Sequence, residues 1–407
     1  MKFSILLPVR NGQDYISNAI ETVLSTRYED FELVISDNFS NDDTSIILSK
    51  VIHEKCRIIK PKTPLSMAEH WEFIINAGQG DWLLILGVDD GLFPYTFELL
   101  DDLVDKAASN NLKVIMSSRA YYFWPGCESV YGNLNFHFDS ADRVVTKNIL
   151  KNTFKALIGE DSFLYFDLPQ MYSNSVFHRS LFSGYNRIFS SITPDANLAI
   201  IAFDQINEYL YSSIPLGWIG TSLNSNGFSH YKKLRTSGSI LTSNDIAEDF
   251  VSLNSKSKIN FHSSLGNPML SKTPLLLYEA GVQHTFRHKL RSLLWNSKIA
   301  LILVLAKEMR MANNDQIFVD NLNLVAKQND INQRLISIAN LNYRIFTYLQ
   351  NRFIKLIFLK ITRILQVVVG FKTKSVKYYQ LRATGQEWKS MVAVNKEILN
   401  NIDRILP

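Results

Sequence analysis

The first ninety residues alternate short apolar runs with helical patterns, and this order constrains the fold more than any other feature. The run Phe3–Gly12 is apolar until Pro8 and Gly12 stop it, which is typical of a buried strand that enters a turn, and further apolar runs follow at 31–36 and 82–86. The segment Asp14–Tyr28 places its apolar residues at helical spacing, and Asn41–Thr44 supplies capping groups for a second helix. The pattern predicts an α/β fold with a mostly parallel central sheet flanked by helices.

Polar residues follow each of these three strands. The pairs are Arg10–Asn11, Asp37–Asn38 and Asp89–Asp90. In an open parallel sheet, ligands bind outside the carboxyl ends of the strands, so the three pairs should face one crevice. The chemistry of these side chains indicates a nucleotide site.

Three segments also carry a family resemblance: Ser4–Gly12, Val34–Thr44 and Leu86–Pro94. They resemble the family 2 glycosyltransferases of GT-A fold, closely over residues 3 to 100 and more loosely to about 230. The resemblance implies a GT-A nucleotide-diphospho-sugar transferase fold and transfer with inversion at the sugar. It also implies a divalent cation, Mg²⁺ or Mn²⁺.

The resemblance assigns a role to the aspartates that follow the second and third strands. Asp37 is expected to accept a hydrogen bond from the nucleobase, although a helix cap or Asx turn would use the same residue type. Asp89 is the expected metal ligand, and Asp90 is expected to contact the donor or to have a structural role. The family's usual Asp-x-Asp-Asp has Gly87 in its first position, and Val88 replaces the acid of the Gly-Asp-Asp-Asp variant.

An inverting transferase needs a general base for the acceptor hydroxyl. Asp195 resembles the family's catalytic carboxylate in its position, because it begins a predicted helix about a hundred residues after the aspartate pair. The alternative is a helix-start acid whose pKa the helix dipole lowers, which would make it a weaker base. Asp161, Asp204 and Glu208 are the rival candidates.

Other polar residues near these motifs are lesser candidates. Arg10 could bind phosphate through its guanidinium, and His70 lies on a predicted helix where related enzymes place a donor contact, although a lone histidine is more often structural. The expected donor-binding residues, besides Asp37 and Asp90, are Pro8, Arg10, Asn11, Asn38 and His70. His230 is expected to close on the diphosphate or metal.

The remaining sequence divides into three predicted parts. Residues 1–100 form the nucleotide-sugar half, 101–232 the acceptor half, and 233–407 an α-helical C-terminal region. The two cysteines are far apart and in no metal-binding spacing, which fits a reduced cytoplasmic setting. The first strand begins at once, so no signal peptide is expected, and no apolar run reaches the length of a membrane span.

The window Ile331–Gln386 carries ten basic and no acidic residues, and its stretch Arg352–Gly370 has an apolar stripe. This pattern favours binding to an anionic membrane surface, with core packing or a dimer contact as alternatives.

We therefore expect a protein at the inner face of the cell membrane that acts on a glycan or lipid-linked acceptor in surface-polysaccharide synthesis, with no nucleic-acid partner. An inactive nucleotide-sugar-binding module is the alternative. A nucleotidyltransferase is disfavoured because 10–14 lacks a glycine- and lysine-rich phosphate loop.

Overall fold

The fold is a mixed α/β arrangement in a computed structural model of the 407-residue chain. The described residues are 1–125, 127, 134–139, 144–157, 167–171, 174–191, 193–223, 274–311, 316–340, 378–381 and 390–400. The strands are β1 Phe3–Val9, β2 Phe31–Asp37, β3 Cys56–Ile59, β4 Trp82–Ile85, β5 Gly91–Leu92, β6 Val114–Ser117, β7 Ala120–Phe123, β8 Leu134–Asp139, β9 Val144–Asn148, β10 Ser175–His178, β11 Glu208–Ser212, β12 Gly217–Thr221 and β13 Tyr378–Leu381.

The helices cover both faces of the main sheet. They are α1 Ile16–Leu24, α2 Thr44–Leu48, α3 Met67–Ala77, α4 Thr96–Ser109, α5 Ile149–Leu157 and α6 Pro194–Gln205, followed by helices Pro274–Gln283, Lys289–Trp295, Lys298–Met311, Gln316–Gln328 and Met391–Asn400. Helix α3 begins with a reciprocal capping box between Ser66 and Glu69. Pro194 occupies the first turn of α6, where its missing N–H costs nothing.

The main sheet has eight strands in the order β3-β2-β1-β4-β10-β6-β11-β9. Strands β10 and β9 run antiparallel to the other six, so the carboxyl ends of β1, β2, β4 and β6 share one edge. The predicted mostly parallel sheet is thus confirmed, and so is the alignment of its strand ends.

Each strand of the first half is buried on both faces. On β1, Leu6 packs with α3 and α6, whereas Ile5 and Leu7 pack with α1 and α4. This two-sided burial explains why the sequence of β1 is a continuous apolar run rather than an alternating one.

The helices after residue 273 share the core of the sheet domain. Leu277 and Trp295 belong to the same buried cluster as Phe177 and Ile200. In helix Lys298–Met311, buried Lys307 donates to the last carbonyls of α5, and the neighbouring buried Glu308 accepts from the backbone N–H of Leu275. A cation at one helix C-terminus and an anion at another helix N-terminus both oppose the helix dipoles, so these helices are fixed to the sheet domain by core packing and by charge.

A second sheet, in the order β13-β8-β7-β12-β5, continues from the strand that follows the aspartate pair. Helix Met391–Asn400 packs beneath it, where the amide of Asn395 accepts from Trp218 on β12 and donates to the carbonyl of Leu92 on β5. The end of the chain therefore supports the strands next to the predicted site.

None of the helices in the described part of the chain is long and apolar enough to span a membrane. Most of the predicted membrane-surface stretch, Arg352–Gly370 included, lies outside the described residues. The boundary expected near residue 232 also falls outside them.

Candidate active site

The loops after β1 and β2 are joined by a set of reciprocal hydrogen bonds. The backbone N–H of Asn11 donates to Ser40 Oγ at 2.9 Å, and the Asn11 side chain accepts from the N–H of Asn41 at 2.9 Å. One residue on, the N–H of Gly12 donates to Thr44 Oγ1 at 2.8 Å. Asn11 has φ +58°, a left-handed conformation that asparagine tolerates better than most residues. These bonds hold one wall of the crevice rigid.

Asp37 ends β2 and is buried at the base of this wall. Its carboxylate accepts from the backbone N–H of Ser40 at 3.0 Å and from the hydroxyl of Ser45. Burial by itself raises the pKa of Asp37, but the bonds from Ser45 and Ser40, with Lys60 nearby, outweigh it and hold the pKa below its usual value. The capping alternative is therefore real, and the ionised carboxylate retains lone pairs that can accept a further bond.

Asn38 has a structural connection of its own. Its side-chain amide donates to the carbonyl of Leu65 at 2.8 Å and accepts from the Leu65 N–H at 2.9 Å. This two-way bond ties the loop before α3 to the end of β2. The predicted donor contact of Asn38 would have to be made beside this bond.

His70 is buried beneath the end of β2, where Nε2 lies 2.8 Å from Ser36 Oγ. Burial lowers the pKa of His70 to about 4, so the ring is neutral at physiological pH. Pro8 pairs in register with Ser36, whereas Arg10 is exposed at the edge of the sheet. Of these three residues, Arg10 is the exposed one.

Asp89 and Asp90 lie in a turn between β4 and β5, and their side chains have different hydrogen-bond partners. Asp90 is buried, and its carboxylate accepts from the backbone N–H of Gly87 at 2.8 Å and of Gly220 at 2.7 Å. Burial and the adjacent Asp89 raise the pKa of Asp90. This geometry matches the structural alternative for Asp90, since one oxygen closes the turn at Gly87 and the other holds the turn against β12.

Asp89 is only partly buried, and one of its carboxylate oxygens accepts from Ser222 Oγ at 2.7 Å. Its backbone carbonyl accepts from Trp124 Nε1 at 2.9 Å, and a Cβ built at Gly220 would lie 1.7 Å from that carbonyl oxygen. Burial raises the pKa of Asp89. Gly220 is therefore required for β12 to approach the turn this closely.

The structure gives a physical reason for the missing family acid. A Cβ at Gly87 would lie 2.7 Å from the carboxylate oxygen of Asp90 that accepts from the Gly87 N–H, so an aspartate at position 87 would require the Asp90 carboxylate to shift. Val88 packs against Gly12, where a built Cβ would lie 2.4 Å from its methyl group. Val88 therefore packs the turn onto the loop after β1, whereas Gly87 closes the turn itself.

Within the described ranges, no group of three or more histidine, cysteine, aspartate or glutamate residues could hold a metal ion. Mg²⁺ in nucleotide sites is commonly held by one or two carboxylates together with the substrate phosphates, so Asp89 alone is compatible with it. The predicted ligand His230 lies outside the described residues.

Asp195 lies in the first turn of α6 and is 8% exposed. Burial raises the pKa of Asp195 to about 6, against the lowering influence of the helix-start amides and of nearby Arg119. The expectation that the helix start would lower the pKa is therefore wrong here, because desolvation is the larger effect. Arg119 follows β6, so Asp195 lies at the same sheet edge as the aspartate turn.

The two described rivals for the base lie away from this edge. Asp204, near the other end of α6, is fully buried and accepts from Tyr185 Oη at 2.9 Å and from the backbone N–H of Arg287. Glu208 is exposed at the amino end of β11, which is the opposite edge of the sheet. Asp161 lies outside the described residues.

Several residues that shape the site were not singled out in the sequence. Ser222, Gly220 and Trp124 hold the aspartate turn, and Arg119 accompanies Asp195. Trp124 falls in an aromatic stretch that reads as a loop or hairpin. The others carry no local signal, since their partners are distant in the chain.

The sheet order, with polar loops at its shared carboxyl edge and an aspartate turn after β4, is that of a GT-A fold. Residues 4–164 match the family model described as glycosyl transferase family 2. Over these residues the chain is similar to glycosyl transferase family 2.

Curated relatives match over short segments. Protein CgeD of Bacillus subtilis is 32% identical over 101 residues, which are 23% of this chain and 23% of that protein. An uncharacterized glycosyltransferase of Haemophilus influenzae is 29% identical over 89 residues, or 21% of this chain and 36% of that protein. The chain thus spans about a quarter to a third of the length of these relatives.

Among solved structures, similarity is found to S. aureus TarS 1–349 in complex with UDP. The TM-score is 0.45 at 15% identity, covering 80% of this chain and 90% of that one. The same protein in complex with UDP-GlcNAc gives a TM-score of 0.44.

Proposed function

We propose that this protein is an inverting glycosyltransferase that moves a sugar from a nucleotide-diphosphate donor to a glycan or lipid-linked glycan acceptor in surface-polysaccharide synthesis. The observation that carries the proposal is the convergence at one sheet edge of Asp37, the Asp89 turn and the buried Asp195. The family assignment supports sugar transfer as the reaction class.

The donor is bound between the β1 and β2 loops in this proposal. Asp37 accepts a hydrogen bond from the base, and Arg10 and Asn11 lie at the mouth of the crevice for the ribose and phosphates. The hydrogen bonds between the loops around Asn11 and Ser40 keep these groups in place before the donor arrives. Such pre-organisation reduces the ordering cost of binding.

In this proposal Asp89 faces the diphosphate of the donor. Asp89 and the diphosphate oxygens would together hold a Mg²⁺ or Mn²⁺ ion. A bound cation supplies neutralisation of the negative charge that grows on the leaving nucleotide. The bond from Ser222 fixes the orientation of Asp89, and Asp90 secures the turn beneath it.

Asp195 acts as the general base. Its carboxylate takes the proton from the acceptor hydroxyl while the acceptor oxygen forms a bond to the anomeric carbon. The bond from that carbon to the diphosphate breaks on the opposite face, which inverts the configuration. A pKa of about 6 suits this role, because the group is ionised at neutral pH and more basic than an exposed aspartate.

An inactive nucleotide-sugar-binding module is the second candidate. The observation that favours it is the absence of an acid at Gly87 and Val88, with Asp90 turned toward backbone amides. Slow donor hydrolysis without an acceptor separates the two, since a transferase commonly shows some and a binding module shows none.

Thermal-shift screening of nucleotide-sugars with and without Mn²⁺ tests the proposal. A donor that raises the melting temperature only with metal would support it, because a ligand stabilises in proportion to its binding to the folded state. The Asp89→Asn variant should keep its fold and lose the metal-dependent part of the shift. Full activity of this variant, or of wild type in EDTA, would refute the metal-dependent mechanism.

A further inference from the structure

The helix Lys289–Trp295 and the turn that follows it expose large apolar side chains. Leu290 is 81% exposed, Leu293 is 68% exposed, and Ile299, in the first turn of the next helix, is 68% exposed. Leu290 and Leu293 are three residues apart in the helix, so they share one face. Single exposed leucines are ordinary, but three large ones within ten residues are not.

This surface is held rigidly from behind. Trp295 is buried, donates to the carbonyl of Tyr278 at 3.0 Å, and packs its ring on Phe203. Arg291 donates to the carbonyl of Phe203 and to the side chain of Asn207. Trp295 and Arg291 fix the inner face of this helix to the protein. Leu290 and Leu293 are therefore exposed on an ordered helix and not on a frayed end.

Exposed basic residues accompany the apolar ones. Lys289 and Lys298 are exposed at the two ends of this surface, and neither has an ion-pair partner among the residues that the structure describes. The sequence has no acidic residue between Glu279 and Glu308. An apolar tip flanked by cations is complementary to a lipid surface with anionic headgroups, where leucines enter the acyl boundary and lysines remain among the headgroups.

We propose that Leu290, Leu293 and Ile299, with Lys289 and Lys298, form a docking surface for an anionic lipid bilayer. The helix contacts the C-terminal end of α6, and Asp195 lies in the first turn of the same α6. Helix α6 has twelve residues and is therefore about 18 Å long, so α6 sets the distance between the bilayer and Asp195. The inference goes beyond the proposed reaction, and vesicle binding tests it without any sugar transfer.

The test is co-sedimentation of the full chain with phosphatidylcholine vesicles, with and without phosphatidylglycerol. Two double variants are compared, Leu290→Asn with Leu293→Asn and Lys289→Glu with Lys298→Glu. Matched controls are Ile52→Asn, at an isoleucine that is 94% exposed elsewhere, and Lys50→Glu. Wild type and controls should bind the anionic vesicles, whereas each double variant should bind about tenfold less.

Binding of both double variants at the wild-type level would overturn the proposal, and so would equal binding of wild type to neutral and anionic vesicles. Melting temperature and size-exclusion chromatography keep the result decisive. If the leucine variant melts several degrees lower, or changes a wild-type dimer into a monomer, the leucines are covered by protein and the lipid assignment is wrong.

Discussion

The two walls of the crevice are built in different ways. On the donor side, the loops after β1 and β2 are joined by bonds between residues about thirty positions apart, such as Asn41 to Asn11. On the catalytic side, Ser222 bonds Asp89 from 133 positions away, and Asn395 bonds Leu92, on the strand after the aspartate turn, from 303 positions away. The donor wall, formed by the loops after β1 and β2, is held by bonds between residues of the same part of the chain. The catalytic wall, formed by the aspartate turn and β5, is held by residues from distant parts of the chain.

This difference separates two kinds of sensitivity. A local network loses one bond at a time and keeps its shape, because neighbouring bonds span the same short loops. A turn held by distant strands and helices responds to changes far from the site. Substitutions on the two sides should therefore differ in how far their effects reach.

The largest expected effect is at the candidate base. Asp195→Asn should lower kcat by about a thousandfold, within the range for loss of a general base, and leave donor affinity within a few-fold. In wild type, kcat/KM should rise with pH about a midpoint near 6, because Asp195 must be ionised. Steady-state kinetics across pH checks both points. A parallel collapse of donor binding would show that Asp195 belongs to the donor wall or to the fold.

Asn395 tests how far the catalytic wall extends. Asn395→Ala removes two buried hydrogen bonds, to Trp218 and to Leu92, and should lower the free energy of unfolding by about 3 kcal/mol. Because β5 follows Asp90 directly, metal-dependent turnover should fall as well, while metal-free nucleotide binding should not. Asn110→Ala, at an exposed asparagine that ends α4, serves as the control. Equal losses in both variants would contradict the comparison.

Glu279, which bonds the segment before α6 on the catalytic side, should make the free energy of unfolding depend on pH. It is 4% exposed and accepts from the hydroxyl of Ser191, just before α6, and burial raises its pKa to about 7. The folded state therefore keeps a proton that the unfolded chain releases above its ordinary pKa of 4.5. Stability from this group is complete below about pH 4.5 and is lost as the pH rises through 7.

Glu279→Gln cannot ionise, so it should be more stable than wild type at pH 8, by about 3 kcal/mol, and equal to it near pH 4.5. Denaturant unfolding at the two pH values measures this difference. A constant difference between the two proteins across the range would show that Glu279 does not titrate there.

The smallest effect is expected on the donor wall. Asp37→Asn removes the charge but keeps hydrogen-bonding groups for Ser40 and Ser45, so donor KM should rise about tenfold with little change in stability. Ser45→Ala, which removes only one capping bond, should raise KM less. If Asp37→Asn instead unfolds the protein, the donor wall is not the tolerant local structure described above.

The sequence was informative where partners are near in the chain. The apolar stripe of α1 and the start of α6 agree with the structure because each is set by residues within a few positions. Asp37, Asp89 and Asp195 could be named from strand ends and from the family pattern. Their environments could not, since burial and hydrogen bonds come from elsewhere.

The raised pKa of Asp195 illustrates this limit. A helix-start aspartate suggests a lowered pKa from sequence, because the helix dipole is a local property. Desolvation depends on which elements pack over the helix, and here it outweighs the dipole. Asp90 is a second case, since its structural role follows from Gly220, which lies 130 positions away.

What the sequence by itself determined is the order of strands and helices in the first half, the shared edge of the strand ends and the aspartates that face it. These follow from hydrophobic periodicity and turn chemistry, which act over a few residues. Only the tertiary structure decided that Asp89 is partly exposed, that Asp90 is buried and closes the turn, and that helix Met391–Asn400 supports the strands next to it. Those outcomes depend on packing and desolvation between segments that are distant in the chain, and no local pattern encodes them.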